Sequence, residues 1–256
     1  SEMCIRDSFN IMKCAIIMAG GKGTRMKATC PKVMCNVLFE PMISYVVDAV
    51  KEAGAEDICV ITGYKHELLE KYLAEKDGQI ETVLQEPQLG TGHAVMQAQS
   101  FIDKHLDDDI IILNGDGPLI DAETINKAFD YHKENDNSIT LISAIVDDTN
   151  GIGHIQRDEN GKLLRIIEHK DANDEEKKIN ESNAGFYWFN GRDLSYALSK
   201  ITNNNAQNEY YITDSLEILI SAGKNVGAYV VENNEVTLGA NDRKQLNLSL
   251  IHISEP

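Results

Sequence analysis

The sequence has no long hydrophobic run and comparatively few basic residues. None of its apolar stretches approaches the roughly 20 residues needed to cross a bilayer, so we expect no membrane insertion. Its 24 lysines and arginines are outnumbered by 41 aspartates and glutamates, which gives a net charge of −17. This charge repels phosphate backbones and anionic lipids, so we expect neither nucleic acid nor a membrane as a partner. An anionic ligand would need positive charge concentrated in a few side chains or backbone N–H groups.

Cysteine is scarce and its spacing is irregular. The five cysteines are an odd number and form no C-x-x-C motif, which argues against a disulfide framework and a structural zinc site. They stand at Cys4, Cys14, Cys30, Cys35 and Cys59. This usage is typical of a reducing cytosol, so we expect a cytoplasmic protein. The 256 residues, 42% hydrophobic and 25% charged, have the composition of a folded globular domain with a sizeable core.

One DNA string explains both ends of the sequence. Residues 1–8 are encoded by TCGGAGATGTGTATAAGAGACAG plus one base, and its reverse complement translates in frame as the run that begins at Leu248. The string resembles a transposase adaptor used in sequencing libraries. We therefore expect residues 1–8 and 248–256 to be adaptor translation, and residues 9–247 to form the domain, with a native start at Met12.

Short apolar runs alternate with amphipathic segments from residue 13 onward, a pattern typical of βαβ units. It predicts strands at 14–18, 58–61, 82–84, 109–113, 139–146, 183–189 and 227–231. Helices are predicted at 41–50, with Pro41 at the first helical position, and at 66–73, 93–101, 122–133, 192–199 and 214–221. In the second half, segments 153–157 and 162–167 flank a turn and predict a hairpin. The sequence therefore predicts one α/β domain with a Rossmann-like, mixed and mostly parallel sheet flanked by helices, and small β-hairpin additions in the second half.

A glycine-rich loop follows the first predicted strand, where doubly wound sheets place their ligands. Residues 19–25 read Ala-Gly-Gly-Lys-Gly-Thr-Arg. The loop is not a Walker A motif, since Lys22 precedes a glycine, and it lacks the third glycine of the dinucleotide fingerprint. Its glycines would let the backbone approach an anion, and Arg25 and Lys32 would supply local positive charge. On the residues alone, a glycine-rich turn without a ligand remains an alternative.

Further polar candidates lie next to later predicted strands. The amides of Gln85 and Gln88 match the edge of a pyrimidine base, although loop glutamines are often only surface residues. Asp116 directly follows a buried strand, and its carboxylate is a hard oxygen ligand suited to Mg²⁺. A turn-forming role is the alternative for Asp116.

Several motifs in the same order carry a resemblance to a known family. Gly-Lys-Gly-Thr-Arg-Met at 21–26 with the Pro-Lys pair at 31–32 resembles the sugar-1-phosphate nucleotidyltransferases. Later motifs follow in the family's order: Asn-Gly-Asp-Gly-Pro-Leu at 114–119, Ile-Glu-His-Lys-Asp-Ala at 167–172, Asn-Ala-Gly at 183–185 and Gly-Ala-Asn at 239–241. Two others are much more specific, Gln-Leu-Gly-Thr-Gly-His-Ala at 88–94 and Asn-Asn-Asn-Ala-Gln at 203–207. Together they resemble the pyrophosphorylase domain of bacterial bifunctional N-acetylglucosamine-1-phosphate uridyltransferase/glucosamine-1-phosphate acetyltransferases. The resemblance covers residues 13–246.

The resemblance implies roles for individual residues. Arg25 and Lys32 would be catalytic, and Asp116 and Asn241 would hold Mg²⁺. The nucleotide would be bound by Ala19, Gly20, Gly21, Gly23, Gln85, Gln88, Gly90 and Thr91. The sugar phosphate would be bound by Gly153, Glu168, Asn183, Tyr211 and Thr213. The implied reaction is Mg²⁺-dependent transfer of UMP from UTP to N-acetylglucosamine 1-phosphate.

Other functions remain open on the sequence. A uridylyl- or thymidylyltransferase for glucose 1-phosphate or another sugar phosphate would share most of these motifs. A non-catalytic module that binds nucleotide sugars would not need the paired metal ligands, and a dehydrogenase would need the missing third glycine. The family usually continues into a β-helical acetyltransferase domain that trimerises. No hexapeptide repeat is present, so we expect this chain to be monomeric and to lack acetyltransferase activity.

Overall fold

A computed structural model describes residues 11–23, 29–149, 151–237 and 239. The strands in these residues are β1 (Lys13–Met18), β2 (Asn36–Val37), β3 (Glu40–Pro41), β4 (Asp57–Thr62), β5 (Glu81–Leu84), β6 (Asp109–Asn114), β7 (Ile139–Ile145), β8 (His154–Arg157), β9 (Leu163–Ile167), β10 (Glu181–Asn190) and β11 (Val226–Val230). The helices are α1 (Met42–Glu52), α2 (His66–Lys76), α3 (Thr91–Gln97), α4 (Gln99–Lys104), α5 (Ala122–Glu134), α6 (Gly191–Leu198) and α7 (Ser215–Ser221).

The main sheet has the strand order β11-β7-β10-β6-β1-β4-β5, and the β8–β9 hairpin joins it at the start of β10. The pairs β11–β7, β6–β1, β1–β4 and β4–β5 are parallel. Strand β10 is antiparallel to both of its neighbours in this order, β6 and β7. The predicted mixed and mostly parallel sheet flanked by helices is therefore confirmed, and so is the hairpin in the second half.

The alternation of side chains along β1 divides the core between the two faces of the sheet. Cys14 and Ile16 belong to the core that lies with α3, α4, α6 and α7, whereas Ala15 and Ile17 belong to the core with α1, α2 and α5. All four side chains are fully buried. A strand covered on both faces needs a continuous apolar run, which explains why the sequence of β1 is so uniformly hydrophobic.

The structure differs from the predicted elements at several places. Pro41, predicted at the first helical position, is the N-cap of α1 with ψ 145°, and it lies in the unpredicted β2–β3 pair. The predicted helix 93–101 is two helices, because Ala98, with φ −85° and ψ 19°, ends α3 and starts α4. Strand β10 begins earlier than predicted, and its pairing with β7 shifts register between Asn183 and Tyr187. Gly185 lies within this irregularity at φ 77°, a conformation that glycine adopts without strain.

The arrangement of β1 and its neighbours determines where a ligand site forms. Strand β1 has a parallel neighbour on each side, because the chain builds outward first to β4 and β5 and then returns to place β6 on the other edge. Open α/β sheets bind ligands at such a switch point, beyond the carboxyl ends of the strands. Among the helices in the described residues, none is long and apolar enough to span a membrane.

Candidate active site

A cavity of about 800 Å³ opens beyond the carboxyl ends of β1 and β6. It brings together segments from both halves of the chain. The predicted site residues that line it are Ala19, Gly20, Gly21, Lys32, Gln85, Gln88, Gly90, Thr91, Asp116, Gly153, Glu168, Asn183 and Thr213. After the ligands that the sequence predicts for them, we call the side formed by residues 19–21 and 85–91 the nucleotide wall, and the side formed by residues 153, 168, 183 and 213 the sugar wall.

Two glutamines of the nucleotide wall are anchored to the protein backbone. Gln85 is only 6% exposed, and its Nε2 donates to the carbonyl of Gly90 at 3.0 Å. The side-chain amide of Gln88 donates to the carbonyl of Gly20. These bonds fix both side chains against the first glycine-rich loop and the start of α3. Within the part of the chain that the structure describes, neither amide oxygen accepts a hydrogen bond, so both are available to a ligand.

Gly90 is required by the backbone geometry at the start of α3. It adopts φ 106°, and a Cβ atom there would lie 2.5 Å from the carbonyl oxygen of Tyr210. The same carbonyl accepts the N–H of Gly92 at 2.7 Å. The hydroxyl of Thr91 accepts the N–H of Ile212 at 3.1 Å, a contact between distant segments that the sequence did not indicate. The segment around residues 210–212 is thereby fixed to the nucleotide wall.

Lys32 and Asp116 form an ion pair at the cavity surface, where the first glycine-rich loop faces the end of β6. Lys32 begins the 3₁₀ turn Lys32–Met34 directly after Pro31, and only 9% of the residue is exposed. A Cβ atom at Gly23 would lie 2.5 Å from the Cβ of Lys32, so the loop packs directly against the lysine stem. The ammonium and the carboxylate are thus held together where the ends of β1 and β6 meet.

The sugar wall is built on a partly buried carboxylate. Glu168 follows β9, and the hydroxyl of Thr213 donates to its Oε1 at 3.1 Å. Burial raises the pKa of Glu168, and the carboxylates of Asp171 and Glu209 add to this effect, whereas the hydroxyl of Thr213 opposes it. A partly buried carboxylate that lines the cavity is suited to accept hydrogen bonds from a polyhydroxylated ligand.

Asn183 is fixed by the irregular part of β10. Its Nδ2 donates to the hydroxyl of Tyr187 at 2.6 Å, and its Oδ1 accepts the N–H of Gly185 at 3.1 Å. Its own N–H donates to the carbonyl of Gly153 at 2.9 Å, which joins two predicted sugar-binding residues. Burial raises the pKa of Tyr187, so its phenol stays protonated. These contacts take up part of the hydrogen-bonding capacity of the Asn183 side chain and hold the side chain at the cavity surface.

The cavity is strongly acidic. Among its described lining residues, the carboxylates of Asp116, Asp148, Glu168 and Glu209 face a single cation, Lys32. A polyphosphate in this cavity would experience repulsion unless further positive charge entered with it or came from neighbouring segments. The described residues therefore do not supply enough positive charge to hold a polyphosphate.

Four predicted residues are not among the described residues that line the cavity. Arg25 and Asn241 fall outside the described residues. Gly23 packs behind Lys32 instead of lining the cavity, and Tyr211 is 6% exposed, with its phenol accepting a hydrogen bond from the amide of Gln207. Tyr211 thus supports the segment that carries Thr213 and does not itself line the described cavity.

The sequence reasoning missed several lining residues. Asn114 ends β6 at the cavity and packs beneath Gly185, where a Cβ atom would lie 2.1 Å from its Nδ2. The motif that singled out Asp116 begins with this asparagine, so a signal was present. Tyr187 had no such signal, because an aromatic residue in a strand is typical of a core.

The architecture and site agree with one family. A model of the nucleotidyl transferase family matches residues 14–235, and the chain belongs to this family. It is similar to the bifunctional protein GlmU of Acetivibrio thermocellus, at 44% identity over 92% of this chain and 50% of that protein. The bifunctional protein GlmU of Clostridium tetani is 46% identical over 91% of this chain and 50% of its own length. The chain therefore spans about half the length of these curated relatives, and the predicted family resemblance is confirmed.

A solved structure with a similar fold extends over nearly the whole chain. It is a putative glucose-1-phosphate thymidylyltransferase from Bacillus anthracis in complex with sucrose. The TM-score is 0.78, the sequence identity is 20%, and the match covers 95% of this chain and 96% of that one. At this identity, the likeness establishes the fold.

Proposed function

We propose that the protein transfers UMP from UTP to N-acetylglucosamine 1-phosphate, forming UDP-N-acetylglucosamine and pyrophosphate. The observation that carries the proposal is the cavity itself, because one opening joins a backbone-lined nucleotide wall, the Lys32–Asp116 pair and a polar sugar wall. A substrate on each wall would meet its partner at the ion pair. Membership of the nucleotidyl transferase family and the similarity to GlmU proteins support this reaction.

The nucleotide wall would bind the uracil and the phosphates of UTP. Gln85 and Gln88 keep an amide oxygen for the N–H of a pyrimidine, while Gly90 and Thr91 present backbone groups next to it. Ala19, Gly20 and Gly21 let the phosphates approach the main chain at the end of β1. Side-chain amides and backbone groups would thus select a uracil base without any charged side chain.

The chemistry requires charge neutralisation more than proton transfer. A phosphate oxygen of the sugar phosphate attacks the α-phosphorus of UTP in line, and pyrophosphate leaves. The attacking phosphate is already ionised at neutral pH, so no general base is needed. Lys32 would bind the α-phosphate region and stabilise the charge that develops there, and Arg25 would act on the leaving pyrophosphate.

Magnesium would supply the charge that the described cavity lacks. Mg²⁺ in phosphoryl-transfer sites is commonly held by one or two carboxylates together with substrate phosphates, and the carboxylate of Asp116 suits this role. Asn241 would provide a second oxygen, and Gly239, two residues earlier, lines the cavity. Bound there, the ion would neutralise phosphate charge and withdraw electrons from the reacting phosphorus.

The sugar wall would recognise the hydroxyl groups and the acetamido group. Glu168 and Asn183 offer oxygens to sugar hydroxyls, and the backbone of Gly153 lies next to Asn183 for the acetamido group. Thr213 orients Glu168, and Tyr211 would hold the segment in place beneath the sugar phosphate. We also propose a cytoplasmic location, because the spacing of the cysteines suits a reducing compartment.

The test is pyrophosphate release with UTP and Mg²⁺, with N-acetylglucosamine 1-phosphate and glucose 1-phosphate offered separately. We expect preference for the acetylated sugar and loss of turnover when a chelator removes the metal. Preference for glucose 1-phosphate would overturn the substrate assignment but keep the reaction class. Binding of both substrates without turnover in a folded sample would instead favour a binding module.

A further inference from the structure

Two thiols stand on either side of Lys32. The Sγ atoms of Cys30 and Cys35 are 3.9 Å apart, and both residues are half-buried. The other two cysteines in the described residues differ from this pair. Cys14 and Cys59 are fully buried, and burial raises the pKa of each thiol to about 12. Reactivity toward a soluble oxidant therefore falls on the pair beside Lys32.

The backbone between the two thiols is tightly curled. The N–H of Met34 donates to the carbonyl of Pro31 at 2.9 Å, and the N–H of Cys35 donates to the carbonyl of Lys32 at 3.0 Å. This 3₁₀ turn brings the ends of the segment together, so the short sulfur–sulfur distance follows from the local fold.

The same segment forms part of the cavity surface. Lys32 pairs with Asp116, and Val33 packs against Gly115, where a Cβ atom would lie 3.2 Å from a Val33 methyl group. A covalent link across residues 30–35 would therefore act on a turn whose side chains contact the end of β6. No other segment of the described cavity carries two thiols.

We propose that Cys30 and Cys35 are a thiol-modification site that reacts with low-molecular-weight disulfides, such as oxidised glutathione, and closes to an intrachain disulfide that displaces Lys32. The thiolate of one cysteine attacks the oxidant, forms a mixed disulfide and releases one small thiol. The second cysteine attacks the mixed disulfide and releases the other small thiol. Two S–H bonds are lost and one protein S–S bond forms, while the oxidant is reduced to two thiols.

Closing the disulfide requires movement of the turn. A bonded pair of sulfurs is about 2.0 Å apart, so the two atoms must approach each other by about 1.9 Å from their separation of 3.9 Å. Lys32 lies two residues from Cys30 and three from Cys35, inside the closed ring. Because a misplacement of about 1 Å costs on the order of 10²-fold in a positioned site, we expect oxidation to lower turnover at least about tenfold.

The first measurement is chemical and does not depend on activity. A Cys4→Ser background leaves four of the five cysteines. After treatment with oxidised glutathione and removal of the reagent, thiol titration of the unfolded protein should count two fewer thiols. Peptide mapping should find Cys30 linked to Cys35, with no glutathione retained. A stable adduct on one cysteine, a link between two chains, or four remaining thiols would overturn the proposal.

Single and double cysteine variants distinguish a reaction of the pair from a reaction of one thiol. Cys35→Ser should retain one glutathione adduct at Cys30, because the resolving thiol is missing. The double variant Cys30→Ser/Cys35→Ser should be unaffected by the oxidant, and serine in place of each half-buried cysteine keeps the size of the side chain. Adduct formation in the double variant at Cys14 or Cys59 would contradict the assignment of reactivity to the pair.

The effect on turnover rests on the proposed role of Lys32. Oxidised protein should lose activity at least about tenfold and regain it with a dithiol reductant, while the double variant keeps its activity through both treatments. A disulfide that forms without any change in turnover would overturn the displacement of Lys32. Should the protein show no transferase activity at all, the proposed function would fail, and the thiol count would still decide on the disulfide.

Discussion

The two walls of the cavity are built by different physical means. The nucleotide wall relies on main-chain approach, with glycines and with amides that are anchored to carbonyl groups. The sugar wall consists of partly buried polar side chains, Glu168 and Asn183, each hydrogen-bonded to a neighbouring side chain. A backbone surface is insensitive to pH and leaves strong sequence signals, whereas a buried carboxylate is sensitive to pH and leaves a weak signal.

The Lys32–Asp116 pair lies between the walls and belongs to neither. In the proposed mechanism Lys32→Ala removes a positioned donor from the reacting phosphates, so we expect turnover to fall on the order of 10²-fold or more. Steady-state pyrophosphate release measures the effect, and thermal unfolding checks that the variant is folded. Lys51→Ala, which breaks an ion pair outside the cavity, is the matched control and should keep its turnover. Near-normal turnover of Lys32→Ala would remove Lys32 from the mechanism.

The dependence of the nucleotide wall on backbone approach is tested at Gly90. Gly90→Ala should lose about 1–3 kcal/mol of stability from backbone strain, and the contact with Tyr210 should raise the KM for UTP about tenfold. Gly54→Ala is the control, since Gly54 has φ 91° with nothing within 4 Å of an added Cβ. Urea unfolding and UTP saturation curves separate the two effects. Equal KM values in both variants would show that the main-chain approach at Gly90 does not bind UTP.

The sugar wall should respond separately from the nucleotide wall. Thr213→Val removes the hydroxyl that donates to Glu168, so we expect the KM for the sugar phosphate to rise by up to about tenfold while the KM for UTP stays constant. Thr213→Ser keeps the hydroxyl and should remain close to normal. An equal rise of both KM values would mean that the walls are coupled, and the claim that they bind their ligands independently would be wrong.

The smallest expected effect concerns pH. Burial, with Glu217, Glu168 and Asp171 nearby, raises the pKa of Asp214 to about 6. The folded state therefore binds more protons than the unfolded state between the ordinary value and about 6, and stability falls as pH rises through this window.

Replacing the carboxyl at this position should flatten the pH profile. Asp214→Asn should be more stable than the natural chain above about pH 6, by on the order of 1 kcal/mol after solvent screening. Urea unfolding across the window measures it, and the exposed Asp174→Asn serves as the control. An unchanged profile in Asp214→Asn would show that this carboxyl does not carry the dependence.

The fold was predictable where local pattern is enough. The apolar runs located most strands within a few residues, because a strand covered on both faces is built mainly from apolar side chains. The break at Ala98 was not predictable, since alanine favours helix and the interruption depends on packing. Strand order was also out of reach, because nothing in the sequence of β10 specifies that it pairs with β6.

The site divides in the same way. Gly90, Gln85 and Gln88 lie in a short motif, and the structure brings all three to one wall. The bond between Thr213 and Glu168 joins residues 45 positions apart, and the proximity of the Cys30 and Cys35 thiols depends on a 3₁₀ turn. Contacts of these kinds arise from the folded chain and have no separate signature in composition or spacing.

The central position of β10 has a consequence during synthesis on the ribosome. Strand β6 ends at Asn114, but the strand that covers its outer edge begins at Glu181. The first half of the sheet therefore emerges with an unpaired edge at β6. This edge stays unpaired until β10 has been synthesised. Trp188 lies on β10, is the only tryptophan of the chain and packs on Phe129 with ring centroids 4.8 Å apart. Its fluorescence should therefore report the moment at which the nascent sheet closes.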